Sequence, residues 1–180
     1  MRSPSPITGR RSPPPDARAG ARYFPRVPIV RIISGGQTGV DRAALDVALV
    51  LGIPCGGWCP RGRLAVDGPI AARYPLYEAP STDYVVRTEW NVRDADGTII
   101  LTKGEVEGGT KLTLDLARKH GKPNLLIDLR NPPDPMVVAR WARAHHVKTL
   151  NVAGPRESTV PGIYDEASGF VVRLFEILRK

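Results

Sequence analysis

Apolar runs of strand length alternate with segments of helical period along most of this chain. The apolar runs are IVRIIS from Ile29, GTIILT from Gly97, NLLIDL from Asn124 and KTLNVAG from Lys148. The helical patterns cover residues 40–51, 110–120, 135–145 and 165–178. Strands that alternate with helices form βαβ units around a parallel sheet. The alternation therefore predicts a doubly wound α/β fold, with a mostly parallel sheet of about five strands and helices on both faces.

Capping residues mark the ends of two of these helices. Thr110 is a candidate N-cap, and Gly121 follows the basic last turn of the same segment. Asp134 followed by Pro135 supplies an N-cap and a first-turn proline for the next helix. These two helices are predicted from their ends as well as from their period.

The basic charge of the chain is concentrated in its first residues. Residues 1–27 contain six Arg and one Asp, with many Pro and Ser, so that the remainder carries a net charge of only +3 out of +8. A segment of this composition buries too little apolar surface to offset the entropy of ordering. We expect a disordered tail over 1–27, a single domain over 28–180 and no nucleic-acid partner.

Two further classes of protein are excluded by composition. No apolar run approaches the ~18 residues that a membrane span needs, so we expect a soluble protein with no membrane partner. Cys55 and Cys59 occur without a secretory signal, which favours free thiols in the cytoplasm. A soft metal site at this cysteine pair is the weaker interpretation, because buried unreactive cysteine is commoner.

A glycine-rich turn follows the first predicted strand. It contains Gly35, Gly36, Gln37, Thr38 and Gly39, with Asp41 and Arg42 in the helix that follows. Backbone N–H groups of such a turn, together with a helix N-terminus, attract phosphate or another oxyanion. Ser34 stands where the first glycine of the dinucleotide fingerprint would fall, so the motif alone is weak evidence. The alternative that this turn is only a tight corner without a ligand stays open. Asp41 either interacts favourably with the helix dipole or restricts which ligands the turn accepts.

Two other strand ends carry similar residues. Gly108, Gly109 and Thr110 begin the helix after the second strand, and Asn151, Gly154 and Arg156 follow the last strand. Ligands of open parallel sheets bind beyond the carboxyl ends of the strands, where strand order reverses. We expect the first two glycine turns to face each other on neighbouring βα units. Arg156 is expected to clamp an anion, or else to form a surface pair with Glu157.

Two segments between these turns allow both a functional and a structural interpretation. In RTEWNVRDADG, Arg87, Asn91 and Asp94 share one helical face that points either at the ligand crevice or at water. The stretch from Cys59 to Ser81 is predicted to be a long loop, and such loops are uncommon unless they serve a site. It is either a basic lid over an anion or a solvated loop.

The chain resembles the family of putative molybdenum carrier proteins, relatives of molybdenum-cofactor carriers. The segments that carry the resemblance are SGGQTGVDRAALDVAL, GGWCPRGR, DGPI, RTEWNVRDADGTIIL, GGT with ARKHGKP, and LNVAGPRES. They stand in the family's order and span roughly residues 32–178. The resemblance implies a Rossmann-like domain of the same broad group as the cytokinin-activating phosphoribohydrolases, usually homo-oligomeric.

The resemblance also implies a ligand and partners. In the carriers the ligand is the molybdenum cofactor (molybdopterin), a phosphate-bearing pterin dithiolene with an oxo-metal that is handed to apo-molybdoenzymes. The residues implied to cradle its phosphate here are Gly35, Gly36, Gln37, Thr38, Gly39, Gly109 and Thr110. Molybdate, a nucleotide or another phosphorylated ligand stays open.

One position departs from the enzymatic relatives. Their motif P-G-G-x-G-T-x-x-E ends in a Glu that takes part in hydrolysis, and this chain has Thr113 there. Without that carboxylate the water lacks its obvious base, although Glu105, Glu107 and Asp115 are near in sequence. We therefore expect a binding protein with no catalytic residue. A nucleoside 5′-monophosphate phosphoribohydrolase and a nucleotide-sensing module are the second and third hypotheses.

Overall fold

The computed structural model describes residues 29–179. In chain order its elements are β1 (Arg31–Ile33), α1 (Val40–Val50), β2 (Cys55–Gly56), β3 (Trp58–Cys59), β4 (Leu64–Ala65), β5 (Gly68–Pro69), β6 (Tyr77–Glu78), α2 (Tyr84–Asp94), β7 (Gly97–Thr102), α3 (Gly108–Lys119), β8 (Asn124–Asp128), α4 (Pro135–Ala144), β9 (Thr149–Ala153) and α5 (Ile163–Leu178). The tail predicted for residues 1–27 lies outside this part, and the proposed domain bounds stay a prediction.

The predicted α/β architecture is confirmed. Five parallel strands form the central sheet in the order β2-β1-β9-β7-β8. Helix α5 packs against α1 and α4, and α2 packs against α3, which gives a helical layer on each face of the sheet. Phe170 and Leu174 of α5 are fully buried in the larger core beside Ile32, Ile99 and Leu150 of the strands. Apolar burial on both faces thus explains the near-continuous apolar runs in the sequence.

The strands have the spatial order of a Rossmann-like sheet, but the strand in the first position of that order, β9, comes last in this chain. When β9 is counted as the first strand, β1, β2, β7 and β8 become the second to fifth, and the spatial order reads 3-2-1-4-5. Helix α4 connects the fifth of these strands back to the first. Strand order therefore reverses between β9 and β7. The expectation that the turns after β1 and β7 belong to neighbouring units is wrong, because β9 lies between these strands.

Two local predictions change, and a third is confirmed. Strand β8 lies at the edge of the sheet, with Leu126 45% exposed, whereas the continuous apolar run NLLIDL predicts a buried strand. Helix α3 begins at Gly108 with Glu107 as its N-cap, so Thr110 lies within the first turn. Asp134 is confirmed as the N-cap of α4, because its carboxylate accepts a hydrogen bond from the Met136 amide at 2.8 Å.

The long segment after Cys59 has more structure than a loop. Strands β4 and β5 pair with each other, and β6 pairs with β3. The Arg63 guanidinium donates hydrogen bonds of 2.9–3.2 Å to four backbone carbonyls between residues 70 and 76. Asp67 forms an ion pair with Arg42 on α1. The charges of Arg63 and Asp67 thus hold the segment together and against α1, which argues against a basic lid.

Candidate functional site

A cavity of about 490 Å³ opens at the carboxyl ends of β7 and β9, where strand order reverses. Its lining comes from the turns after β1, β7 and β9 and from helices α2 and α3. The lining residues are Gln37, Asp41, Tyr84, Arg87, Thr88, Thr102, Glu105, Glu107, Gly108, Gly109, Thr110, Leu112, Thr113, Ala153, Gly154, Pro155, Arg156, Thr159 and Val160. The position agrees with the rule for ligand sites in open parallel sheets.

The N-terminus of α3 forms one wall of the cavity and is open. The Glu107 side chain makes no capping hydrogen bond, although this residue is the N-cap. A Cβ added at Gly108 or Gly109 would meet no atom of the described residues within 4 Å. The first amide groups of an uncapped helix carry positive partial charge. This wall is therefore suited to an oxyanion.

The glycines of the turn after β1 make room for other parts of the protein. A Cβ at Gly35 would collide with the Arg87 guanidinium. A Cβ at Gly36 would lie 2.5 Å from Leu76 Cδ1, and one at Gly39 would lie 2.5 Å from the Pro155 carbonyl oxygen. Gly36 and Gly39 also have φ of +75° and +80°, a region that other residues rarely adopt. Gly36 and Gly39 are thus required by backbone conformation and close packing, and Gly35 leaves the space that the Arg87 guanidinium occupies.

In the turn after β1, the Asp41 carboxylate occupies the place that the sequence predicts for an external anion. Its Oδ2 accepts a hydrogen bond from the Gln37 amide at 3.3 Å and another from Arg87 Nη1 at 3.2 Å. Burial raises the pKa of the Asp41 carboxyl group above its ordinary value, while the charge of Arg87 acts in the opposite direction. Because the protein supplies its own carboxylate here, the open helix terminus at α3 is the better place for an external anion.

The turn after β9 brings an arginine to the mouth of the cavity. The guanidinium carbons of Arg156 and Arg87 lie 5.4 and 5.8 Å from the centre of the Tyr84 ring. Gly154 packs against the Leu101 carbonyl, which allows the turns after β7 and β9 to approach closely. Arg156 is exposed, as are Glu105 and Glu107 on the same lining. The mouth therefore carries both signs of charge, beside an aromatic ring.

Eight of the predicted site residues line this cavity. They are Gln37, Asp41, Arg87, Gly108, Gly109, Thr110, Gly154 and Arg156. Their predicted contacts with a ligand stay predictions.

The other seven lie outside the lining: Gly35, Gly36, Thr38, Gly39, Arg42, Asn91 and Asn151. Arg42 donates to Asp67 Oδ1 at 2.8 Å, and Asn91 forms two hydrogen bonds with the backbone of Trp58. The buried Asn151 amide donates to Thr98 Oγ1 at 3.3 Å on the neighbouring strand. The face of α2 that carries Asn91 therefore contacts other parts of the protein. Of the predicted site residues on this face, Arg87 lines the cavity.

Several lining residues were missed from the sequence. Tyr84 precedes Arg87 by one helical turn, and this i, i+3 spacing is a signal that places both on one face. Thr102 is the last residue of β7, the usual position for a ligand contact in such a sheet. Thr159 lies in the loop before α5 and has no comparable signal in the sequence.

The position of the hydrolytic glutamate holds a hydroxyl group. Thr113 is buried in the lining, and its Oγ1 donates to the Gly109 carbonyl at 2.9 Å. A threonine bonded in this way within its own helix offers no basic group at neutral pH. Glu105 and Glu107 are the lining carboxylates on the side of β7 and α3, and both are exposed.

The cysteines are free thiols outside the cavity lining. Burial raises the pKa of both Cys55 and Cys59, which makes them less reactive. Within residues 29–179, no group of three or more His, Cys, Asp or Glu side chains is arranged to hold a metal ion. In the same part of the chain, no helix combines the length and apolar character of a membrane span.

Comparisons with known proteins agree with this fold. Residues 32–175 match the family model described as the circularly permutated YpsA SLOG family. Among solved structures, the chain is similar to a putative molybdenum carrier protein from Syntrophus aciditrophicus SB, with 45% sequence identity and a TM-score of 0.80. This similarity covers 82% of the present chain and 95% of the other. No protein with a curated description matches the chain.

Proposed function

The chain belongs to the circularly permutated YpsA SLOG family, and from this premise we propose that it binds the molybdenum cofactor or a closely related phosphate-bearing ligand without cleaving it. The name of the similar Syntrophus aciditrophicus protein supports a carrier of this kind. The proposed binding site is the cavity between the carboxyl ends of β7 and β9. Delivery to apo-molybdoenzymes and assembly into a homo-oligomer, both expected from the sequence, belong to the same proposal.

The open N-terminus of α3 is the observation that carries this proposal. It faces a cavity of about 490 Å³, within the roughly 300–1,000 Å³ typical of small-molecule sites. Gly109 leaves its approach clear, and Arg156 at the mouth adds a positive charge. A phosphate group gains hydrogen bonds from the amides and attraction from the helix dipole at such a terminus.

The donor set of the cavity fits a cofactor that brings its own metal ligands. The described residues contain no cluster of three metal-ligating side chains, so the metal would be held by the dithiolene of the cofactor. The protein would hold the phosphate at α3 and the pterin against the ring of Tyr84. Bound in this way, the cofactor supplies oxo-metal chemistry for the enzyme that receives it.

The charges of the lining favour one phosphate over a polyphosphate. Asp41 and Arg87 form an ion pair at 3.2 Å, and the other charged residues of the lining are Arg156 and the exposed Glu105 and Glu107. A single phosphate is stabilised by the helix terminus and Arg156. A triphosphate would add further negative charge beside two carboxylates, at a cost of about 1 kcal/mol or more for each close pair of like charges.

A phosphoribohydrolase is the second candidate, because Glu105 and Glu107 line the cavity. Two observations argue against this activity: Thr113 stands at the position of the hydrolytic glutamate, and the side chains of Glu105 and Glu107 are exposed. Incubation with nucleoside 5′-monophosphates tests this activity, and we expect no free base above the level of a heat-inactivated control. Base release that is lost in Glu105→Gln or Glu107→Gln would establish the enzyme instead.

Mass spectrometry of the small molecule that co-purifies with the protein tests the proposal. We expect a phosphorylated pterin in the wild type and in Arg140→Ala, since Arg140 is exposed on α4 and outside the lining. Arg156→Ala removes the same charge at the mouth and should retain less ligand, most clearly at low salt, because salt screens the attraction between Arg156 and the phosphate. A nucleotide in place of the pterin would favour the sensing module. No phosphorylated molecule in any preparation would contradict the proposal.

A further inference from the structure

The side-chain amide of Gln37 is held in one orientation. Its Oε1 accepts hydrogen bonds from the backbone amides of Thr38 at 3.0 Å and Val66 at 3.1 Å. Both partners are donors, so the opposite orientation would place the Nε2 hydrogens against two N–H groups. Gln37 is 4% exposed and lines the cavity. The fixed oxygen therefore leaves Nε2 as the polar atom of this lining residue that still has hydrogen bonds to donate.

Two buried donors of this lining lack a partner. Gln37 Nε2 and Arg87 Nε make no hydrogen bond with the residues that the structure describes. Both residues also contact Asp41, whose carboxylate accepts from the Gln37 backbone amide and from Arg87 Nη1. Buried donors are normally satisfied, and one left without a partner is costly. A ligand atom with a free lone pair would satisfy them.

The charge nearby indicates what kind of acceptor fits. Asp41 already places one carboxylate beside this turn, and the single charge of Arg87 is paired with it at 3.2 Å. A phosphate here would be a second anion in a buried environment, whereas the open terminus of α3 offers it a better site. A neutral carbonyl oxygen accepts from the Gln37 Nε2 donor without this repulsion. The Tyr84 ring in the same lining suits a planar ligand.

We propose that Gln37 is a specificity-determining residue that selects a planar ring with a carbonyl oxygen, an oxopurine or oxopteridine, over the corresponding amino-substituted ring. This inference rests on the proposed function and adds the chemical identity of the ligand's ring edge. An amino group presents hydrogens to Nε2 and leaves the donor unsatisfied. Such a mismatch weakens binding by about 10-fold to 100-fold.

Isothermal titration calorimetry on the full chain with matched pairs of ligands tests the inference. One pair is IMP and AMP, and the other is pterin-6-carboxylate and 2,4-diaminopteridine-6-carboxylate. The members of each pair carry the same anionic group and differ mainly at the ring edge. We expect the oxo member to bind at least about 10-fold tighter in the ring system that fits, and the two pairs distinguish a purine from a pteridine site.

Two substitutions isolate the role of Gln37. Gln37→Glu keeps an oxygen for the Thr38 and Val66 amides but replaces the N–H donors, so the oxo preference should reverse even if both affinities fall. Gln37→Met removes both functions, so the preference should disappear. Thermal unfolding verifies that each variant is folded, and if Gln37→Glu is not, Gln37→Met alone decides. An unchanged ratio in a folded variant would overturn the inference, as would equal affinities in the wild type.

The proposed function can fail separately. If the wild type binds inorganic phosphate but neither ring pair, the inference is overturned and the anion site at α3 stands. If it binds no phosphate-bearing probe and co-purifies with none, the proposed function falls and this inference falls with it.

Discussion

Replacing Gly109 by Asp should weaken anion binding strongly while leaving the fold intact. Gly109 lies in the first turn of α3 and lines the cavity, and an added Cβ meets no described atom within 4 Å. An aspartate in the first turn of a helix is favourable by about 0.3–1 kcal/mol. The new carboxylate would compete for the amide groups that we assign to the phosphate.

The size of the effect follows from the charges. Two unit charges about 5 Å apart repel by about 3 kcal/mol at an effective dielectric constant of about 20. Gly109 is exposed, so solvent and salt reduce this value to about 1.5–3 kcal/mol. Because about 1.4 kcal/mol corresponds to a factor of ten, the dissociation constant should rise by about 10-fold to 100-fold.

Equilibrium dialysis with labelled inorganic phosphate at low ionic strength measures this change. Gly109→Ala is the steric control and should bind as the wild type does. Gly121→Asp adds the same charge just beyond the other end of α3, where a Cβ is equally free of contacts. It should leave phosphate binding nearly unchanged. Equal affinity of Gly109→Asp and wild type, with both folded, would refute the placement of the anion at α3.

Three further predictions concern the scaffold. Gly39→Ala should lower the unfolding temperature more than Gly121→Ala, because both residues have positive φ but only at Gly39 would the added Cβ lie 2.5 Å from a carbonyl oxygen. Equal losses in calorimetry would contradict this. Arg63→Ala should destabilise the protein by about 1.5–3 kcal/mol or more in urea unfolding, because four carbonyl groups lose their hydrogen-bond donor. It should also speed tryptic cleavage between residues 61 and 73. Cleavage at the wild-type rate would contradict this prediction. Burial and the hydrogen bond that the Tyr164 hydroxyl donates to the Asp46 carboxylate at 2.9 Å raise the pKa of Tyr164 from 10.0 to about 12. The contribution of Tyr164 to stability should therefore be lost as pH rises from 10 through 12. Tyr164→Phe should remove this alkaline loss and one late step from the ultraviolet titration of the tyrosines.

The sequence predicts what depends on local patterns. Strands and helices follow from apolar period, and the end of α3 and the start of α4 follow from Gly121 and Asp134. The three turns at the strand ends were found from their glycines and polar residues. All of these signals lie within a few residues of the feature that they predict.

Features made by distant residues were not predictable in the same way. Strand β9 comes last in the chain yet pairs between β1 and β7, and no periodicity contains this information. Gly35 looks like a phosphate-binding glycine in the sequence, but Arg87, 52 positions later, occupies the space beside it. Whether a glycine serves a ligand or a neighbouring side chain depends on such packing. For this reason we place the proposed anion at the terminus of α3 and not at the turn after β1.

Elemental analysis of the protein purified from its native host tests the central claim most directly. Inductively coupled plasma mass spectrometry measures phosphorus and molybdenum in the same sample, for the wild type and for Gly109→Asp. If the cavity between β7 and β9 holds the molybdenum cofactor by its phosphate, the wild type should contain both elements in near-stoichiometric amounts and the variant much less of both. Absence of both elements from the wild type, or equal contents in the variant, would contradict the account.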